Sequence, residues 1–176
     1  MDIELPEGVA AAFQDSVLSL KGKKGEVSRD FRNPRVDFRT EGNMIILTAK
    51  NATKREKTAL GTICAHIRNM VRGVAQGHTY KLKICSGHFP MNASVSGKEF
   101  SVKNFLGEKT PRRLQLRDNV DVKIDGSHII VVSNSKELAG QTAADIEQLM
   151  RVKGRDRRIF QDGIYIIEKD GKPIEQ

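Results

Sequence analysis

Hydrophobic and polar positions alternate along most of the chain, and a helical period replaces the alternation twice. Residues 35–42, RVDFRTEG, alternate and then end in an acidic residue followed by glycine, and an apolar run, MIILTA, starts at Met44. Residues 119–126, NVDVKIDG, repeat the pattern 84 residues later, with HIIVVS starting at His128. Period-two alternation closing on Glu-Gly or Asp-Gly predicts a two-stranded hairpin, because a tight turn needs the positive φ that glycine adopts. A helical period follows each hairpin. Leu60, Ile63, Cys64, Ile67, Met70, Val71 and Val74 recur at three- and four-residue spacing, as do Ala143, Ile146, Leu149 and Met150. Asn51 or Thr53 is the candidate cap of the first helix and Asn134 or Ser135 of the second. Gly77 and Gly154 are the candidate stops.

More strand precedes each hairpin: SVLSLKGKKGEVSRDF from Ser16, turning between Gly22 and Gly25, and KEFSVKNFLGEKTPRRLQL from Lys98. TYKLKI from Thr79 and GIYIIEK from Gly163 read as strands that leave each helix and complete its unit. The expected fold is therefore α+β, a tandem duplication of a small unit with an antiparallel-rich sheet and one helix. The expected units are 1–83 and 84–176, with SGHFPMN as the link.

Composition agrees. A chain of 176 residues accommodates two units of about 80 residues, and 38% hydrophobic content supplies their cores. No run approaches the ~18 apolar residues of a membrane span, and MDIELPEGVAAAF lacks the basic start of a signal peptide. Two cysteines, Cys64 and Cys85, form no disulfide framework and fit a reducing, cytoplasmic compartment. Lys plus Arg number 30 against 22 Asp plus Glu, a net charge of +8, which points to a polyanion: nucleic acid ahead of an anionic membrane. Aromatic residues make up 5% with no Trp, which argues against a stacking platform for single strands and leaves the backbone of folded RNA.

Charge placement changes this picture. Residues 1–83 carry 15 basic and 9 acidic side chains, and residues 84–176 carry 15 and 13. The densest clusters nevertheless lie in the second half. On the expected hairpin, Phe100, Val102, Leu114 and Leu116 face inward, so Lys103, Arg113 and Arg117 share the outer face, joined at the tip by Lys109 and Arg112. Arginine presents a planar fork to phosphate. Further on, Arg151, Lys153, Arg155, Arg157 and Arg158 crowd around Gly154 with only Asp156 to offset them. Helix-dipole complementation accounts for one or two of these, whereas five repel one another unless an anion neutralises them. The KGKKG turn lacks the spacing of a phosphate-cradling loop.

No catalytic constellation emerges. The histidines His66, His78, His88 and His128 form no HExxH pattern, the cysteines form no CxxC, and nucleophile-elbow and dinucleotide fingerprints are missing. The expectation is a protein that is not an enzyme, without metal or cofactor. Cys64 reads as a small core residue, Asp162 as a turn-former, and Phe160 and Tyr165 as packing residues.

The stretch QLMRVKGRDRRIFQDGIYIIEK, from Gln148 to Lys169, resembles the signature of the archaeal and eukaryotic branch of a universal large-subunit ribosomal protein family, number six in the universal naming. Gln148, Val152, Arg155, Arg158, Phe160, Asp162, Gly163, Ile164, Tyr165, Ile166 and Lys169 fill its spaced positions. SVKNFLGEKTPRRLQLR, CAHIRNMVRGVAQGHTYKLK and HFPMN resemble the same family, and the resemblance covers essentially the whole chain. It implies a structural component of the cytoplasmic large ribosomal subunit that binds large-subunit ribosomal RNA mainly through the second unit. It also implies neighbouring ribosomal proteins and a place close to the sarcin–ricin loop, where translational GTPases dock, with no membrane contact. The RNA-facing positions it implies are Asn104, Gly107, Lys109, Arg112 and Arg113, then Lys153, Arg155, Arg157, Arg158 and Lys169. MIILTAKNATKREKTAL runs through without the insertion usual in cytosolic eukaryotic members, so the form looks archaeal. The alternative is an extra-ribosomal adaptor that uses the basic first unit, Lys21, Lys23 and Lys24 included, to bind a protein partner or an anionic surface.

Overall fold

Residues 1–33, 35–49 and 52–174 are described in a computed structural model. They divide into two units, residues 1–77 with 134–136 and residues 78–133 with 137–176. The first holds β1 (Asp2–Glu4), β2 (Ala10–Gln14), β3 (Val17–Gly22), β4 (Gly25–Asp30), β5 (Asp37–Glu41), β6 (Met44–Thr48) and the helix α1 (Lys54–Ala75). The strands form two antiparallel sheets, ordered β2-β3-β4 and β1-β6-β5. The second unit holds β7 (His78–Cys85), β8 (Asn92–Ser96), β9 (Glu99–Lys103), β10 (Arg112–Gln115), β11 (Val120–Asp125), β12 (His128–Ser133), α2 (Lys136–Leu149), β13 (Gly163–Lys169) and β14 (Lys172–Pro173). Its sheets are β8-β9-β10 and β11-β12-β7-β13-β14.

The duplication is present, with a different starting point. The strand over 78–85, which the sequence assigns to the end of the first unit, is the middle strand of the second sheet, with Leu82 opposite Ile129 and Ile84 opposite Ile164. In the first unit β1 holds the equivalent place against β6, with Ile3 opposite Ile45. Each repeat therefore opens on a strand, and the division falls at 77/78 instead of 83/84. Alternation identifies a strand but not its partners, and three residues of β1 are too few to display a period. Residues 86–92 accordingly lie inside the second unit and link nothing.

The hairpins form where expected. Gly42 and Gly126 close them at φ +58° and +57°. In the first unit the α1 face of Ile63, Cys64, Ile67, Met70 and Val74 packs with Leu18, Leu20, Ile45 and Leu47. In the second, Ala139, Ala143 and Ile146 of α2 pack with Leu82, Phe100, Val102, Ile129 and Ile164. Thr53 caps α1: the Glu56 carboxylate accepts its backbone N–H at 3.1 Å and its hydroxyl, and pairs with Arg35. The Thr53 hydroxyl, then Arg35, lower the Glu56 pKa to about 2. The other candidate cap, Asn51, lies outside the described residues. Gly77 follows the end of α1 as expected, but Gly154 sits five residues beyond α2 and stops no helix. Among the described residues, no helix is long and apolar enough to cross a membrane, and no three His, Cys, Asp or Glu side chains are grouped to hold a metal.

Gly22 is required by close approach. A Cβ there would lie 2.6 Å from the Val74 carbonyl oxygen at the end of α1, the same oxygen that accepts the Lys24 N–H at 2.9 Å. Backbone meets backbone, so neither side yields easily. Gly22→Ala should destabilise the protein by about 1–3 kcal/mol. Gly61→Ala, whose Cβ meets nothing within 4 Å, should be neutral or stabilise by up to about 1 kcal/mol through helix propensity. Thermal melts of the two variants test this, and equal melting temperatures would refute it.

Candidate nucleic-acid interface

Three loops of the second unit converge. They are the turn after β7 (residues 86–91), the tip between β9 and β10 (residues 104–111) and the irregular segment after α2 (residues 150–162). Each is tethered to another by identified contacts. Asn104, in a left-handed conformation at φ +63°, donates its side-chain amide to the Pro90 carbonyl at 3.0 Å. Gly107, at φ +78°, lies beneath the Phe89 ring, which a Cβ would meet at 3.7 Å. Arg112 reaches from the tip to the Leu149 and Arg151 carbonyls at 2.7 and 3.2 Å. Two basic clusters some forty residues apart in sequence thus meet on one face.

Asp162 anchors this arrangement. Its carboxylate is buried and accepts three hydrogen bonds: from the Gly87 N–H at 2.6 Å, the His88 N–H at 3.0 Å and the His88 ring Nδ1 at 2.5 Å. Burial pushes the Asp162 carboxyl up, but the hydrogen bonds from His88 and Gly87 outweigh it and hold the group below the usual carboxylate range. His88 then stacks on Phe160 with centroids 4.8 Å apart, and the Arg155 guanidinium lies over the Phe160 ring as well, 4.9 Å from its centroid. A buried carboxylate therefore fixes a histidine, the histidine a phenylalanine, and the phenylalanine an arginine on the surface. The Asx turn at Asp156, which accepts the Arg158 N–H at 2.9 Å, shapes the rest of the segment. Gly163 is needed because the Tyr165 ring lies where its Cβ would be, at 3.1 Å. Close approach, not a turn, is its function.

The expected site residues have different surroundings. Lys109, Lys153 and Arg157 are exposed, with no hydrogen-bonded or ion-paired side-chain partner among the described residues. Arg155 is exposed over Phe160. Arg158 is exposed but forms a two-point pair with Asp156, its Nη2 at 2.8 Å; a pair this open contributes little and exchanges readily for phosphate. Lys103 and Arg113 do lie on the outer face of β8-β9-β10, where Asn92, Ser94 and Ser101 accompany them, and Arg113 pairs with Glu99 at 3.6 Å. Arg117 follows β10 and bonds to Asp145 of α2 at 3.0 Å.

Arg112 and Lys169 depart from expectation. Besides the two carbonyls, Arg112 grips Glu108 through Nε and Nη2, at 2.9 and 2.6 Å, with its guanidinium 4.2 Å from the Phe105 centroid. Four of its five N–H groups are used internally, so it builds the face and is not free to bind phosphate. Lys169 ends β13, six residues from Gly163, about 20 Å along the strand, and is not brought to the converging loops. The residues that sequence reasoning undervalued are Asp162 and His88. They are 74 positions apart, and no local pattern links them.

A duplicated α+β scaffold that gathers basic loops on one copy offers a positively charged face to a polyanion. The family model described as ribosomal protein L6 matches residues 5–77 and 89–163. The large ribosomal subunit protein uL6 of Methanocella arvoryzae is 41% identical over 169 residues, 96% of each chain. That of Methanococcus vannielii is 41% identical over 173 residues, 98% of this chain and 95% of its own. The chain belongs to the ribosomal protein L6 family, in its archaeal form, and is a structural protein and not an enzyme.

Proposed function

We propose that this protein is a cytoplasmic, structural component of the large ribosomal subunit that grips large-subunit ribosomal RNA through the converged loops of its second unit. The observation that carries the reading is the meeting of residues 104–111 and 150–162 on a single face, held by Arg112 and by the Asp162–His88–Phe160 stack. A-form RNA hides its base edges in a deep groove, so a protein reads its backbone with basic side chains held on a rigid support. Lys103, Lys109, Arg113, Lys153, Arg155, Arg157 and Arg158 supply the contacts, while Asn104, Gly107 and Arg112 hold the loops. The finer placement, close to the sarcin–ricin loop and the docking region of translational GTPases, among neighbouring ribosomal proteins, rests on the family resemblance.

Sedimentation of a cell lysate tests the reading. The protein should travel with large subunits at low salt and leave them as salt rises. Its confinement to the light fractions at low salt would exclude the reading. Charge reversal at Lys21, Lys23 and Lys24 should leave co-sedimentation intact; loss of function in that variant, with the second-unit arginines dispensable, would favour the adaptor alternative.

A further inference from the structure

The basic face also carries apolar surface that phosphate contacts do not use. Ile159 is 64% exposed, although Arg157 and Arg158 precede it. It borders a groove whose other walls are Cys85, Ser86, His88, Gln161 and Tyr165. The groove floor is rigid. Asp162 pins Gly87 and His88, and the Tyr165 hydroxyl donates to the Gln161 carbonyl at 3.0 Å. An aliphatic side chain, a phenol ring and an imidazole thus stand around a slot, and the Arg157 guanidinium is near enough to act electrostatically on Tyr165. A nucleotide has that same division, an apolar planar base attached to an anionic phosphate.

We propose that this groove takes one unstacked nucleotide of the bound RNA, its base against Ile159, Tyr165 and His88 and its phosphate toward Arg157. Proteins recognise RNA loops and bulges by receiving splayed bases on aromatic and apolar side chains. The low aromatic content excludes a platform for many bases but suffices for one. The inference rests on the RNA-binding reading of the same face.

Cys85 lines the groove and Cys64 is buried in the first unit, so thiol alkylation of the native full-length protein reports on the groove. The probes are a 12-base-pair RNA duplex and the same duplex with a single-nucleotide bulge, with binding followed separately by fluorescence anisotropy. Both RNAs should bind, and the bulged one should slow Cys85 alkylation far more than the perfect duplex. Ile159→Ser, at an exposed position that folding does not need, should weaken binding of the bulged RNA by about tenfold and of the duplex little. If both RNAs bind and neither the bulge nor Ile159→Ser matters, the groove proposal is overturned while the basic face stands. If neither RNA binds at low salt, the RNA-binding reading itself fails, and the groove proposal with it.

Discussion

Asp162→Ala should lower the melting temperature by about 5 °C and weaken RNA binding, by loosening the loops that its carboxylate anchors. Removing a buried carboxylate that accepts hydrogen bonds costs about 1–3 kcal/mol, tempered here because the donors stand at the edge of an open groove and can turn to water. Those donors are the Gly87 and His88 amides and the His88 ring. Without Asp162 the His88–Phe160–Arg155 stack has no anchor, and the two basic clusters are left joined through Arg112 without that support. Asp162→Asn should be milder, since an amide oxygen still accepts both backbone N–H groups. The same carboxylate has a signature in acid. Its folded pKa lies below the unfolded value of about 3.9, so its contribution is complete above that value and is lost as pH falls through the folded one. The wild-type protein should lose stability below about pH 4 by more than Asp162→Ala does. Parallel acid titrations of the two proteins would contradict this assignment.

Arg155, Arg157 and Arg158 changed together to alanine should weaken binding to large-subunit RNA and flatten its salt dependence, with little change in stability. Each phosphate that the protein no longer neutralises should reduce the steepness of log affinity against log salt by about 0.7–0.9. These side chains stand in solvent, and the pair between Arg158 and Asp156 is too exposed to support the fold. Arg112→Ala should act through the fold instead. It strands Glu108 and the Leu149 and Arg151 carbonyls, so it should lower the melting temperature. Arg112→Lys should rescue poorly, because an ammonium cannot reproduce a planar fork that reaches a carboxylate and two carbonyls at once. A salt slope unchanged by the triple substitution would remove those arginines from the interface.

Local pattern revealed the elements, and distance hid the rest. The hairpins at Gly42 and Gly126 and the buried face of α1 were legible because alternation, turn chemistry and helical period are properties of adjacent residues. The place of β7 was not, because the choice between sheets is made by the partners of residues such as Leu82, and those partners, Ile129 and Ile166, lie 47 and 84 residues away. The basic clusters were legible as composition. That Arg112 turns inward was not, since its carbonyl partners lie 37 and 39 residues away, where sequence places no marker. Asp162 read as a turn residue for the same reason: the Asp-Gly pair resembles the hairpin turn at 125–126, while its partners lie after β7. Lys169 matched the family pattern, yet the length of β13 separates it from the loops.

The central claim is that the second unit's converged loops hold the RNA. Ultraviolet crosslinking of purified large subunits, followed by mass spectrometry of the RNA-linked peptides of this protein, tests it most directly. The account predicts crosslinks within residues 103–113 and 151–162. Crosslinks confined to the first unit, in residues 21–39, would contradict it.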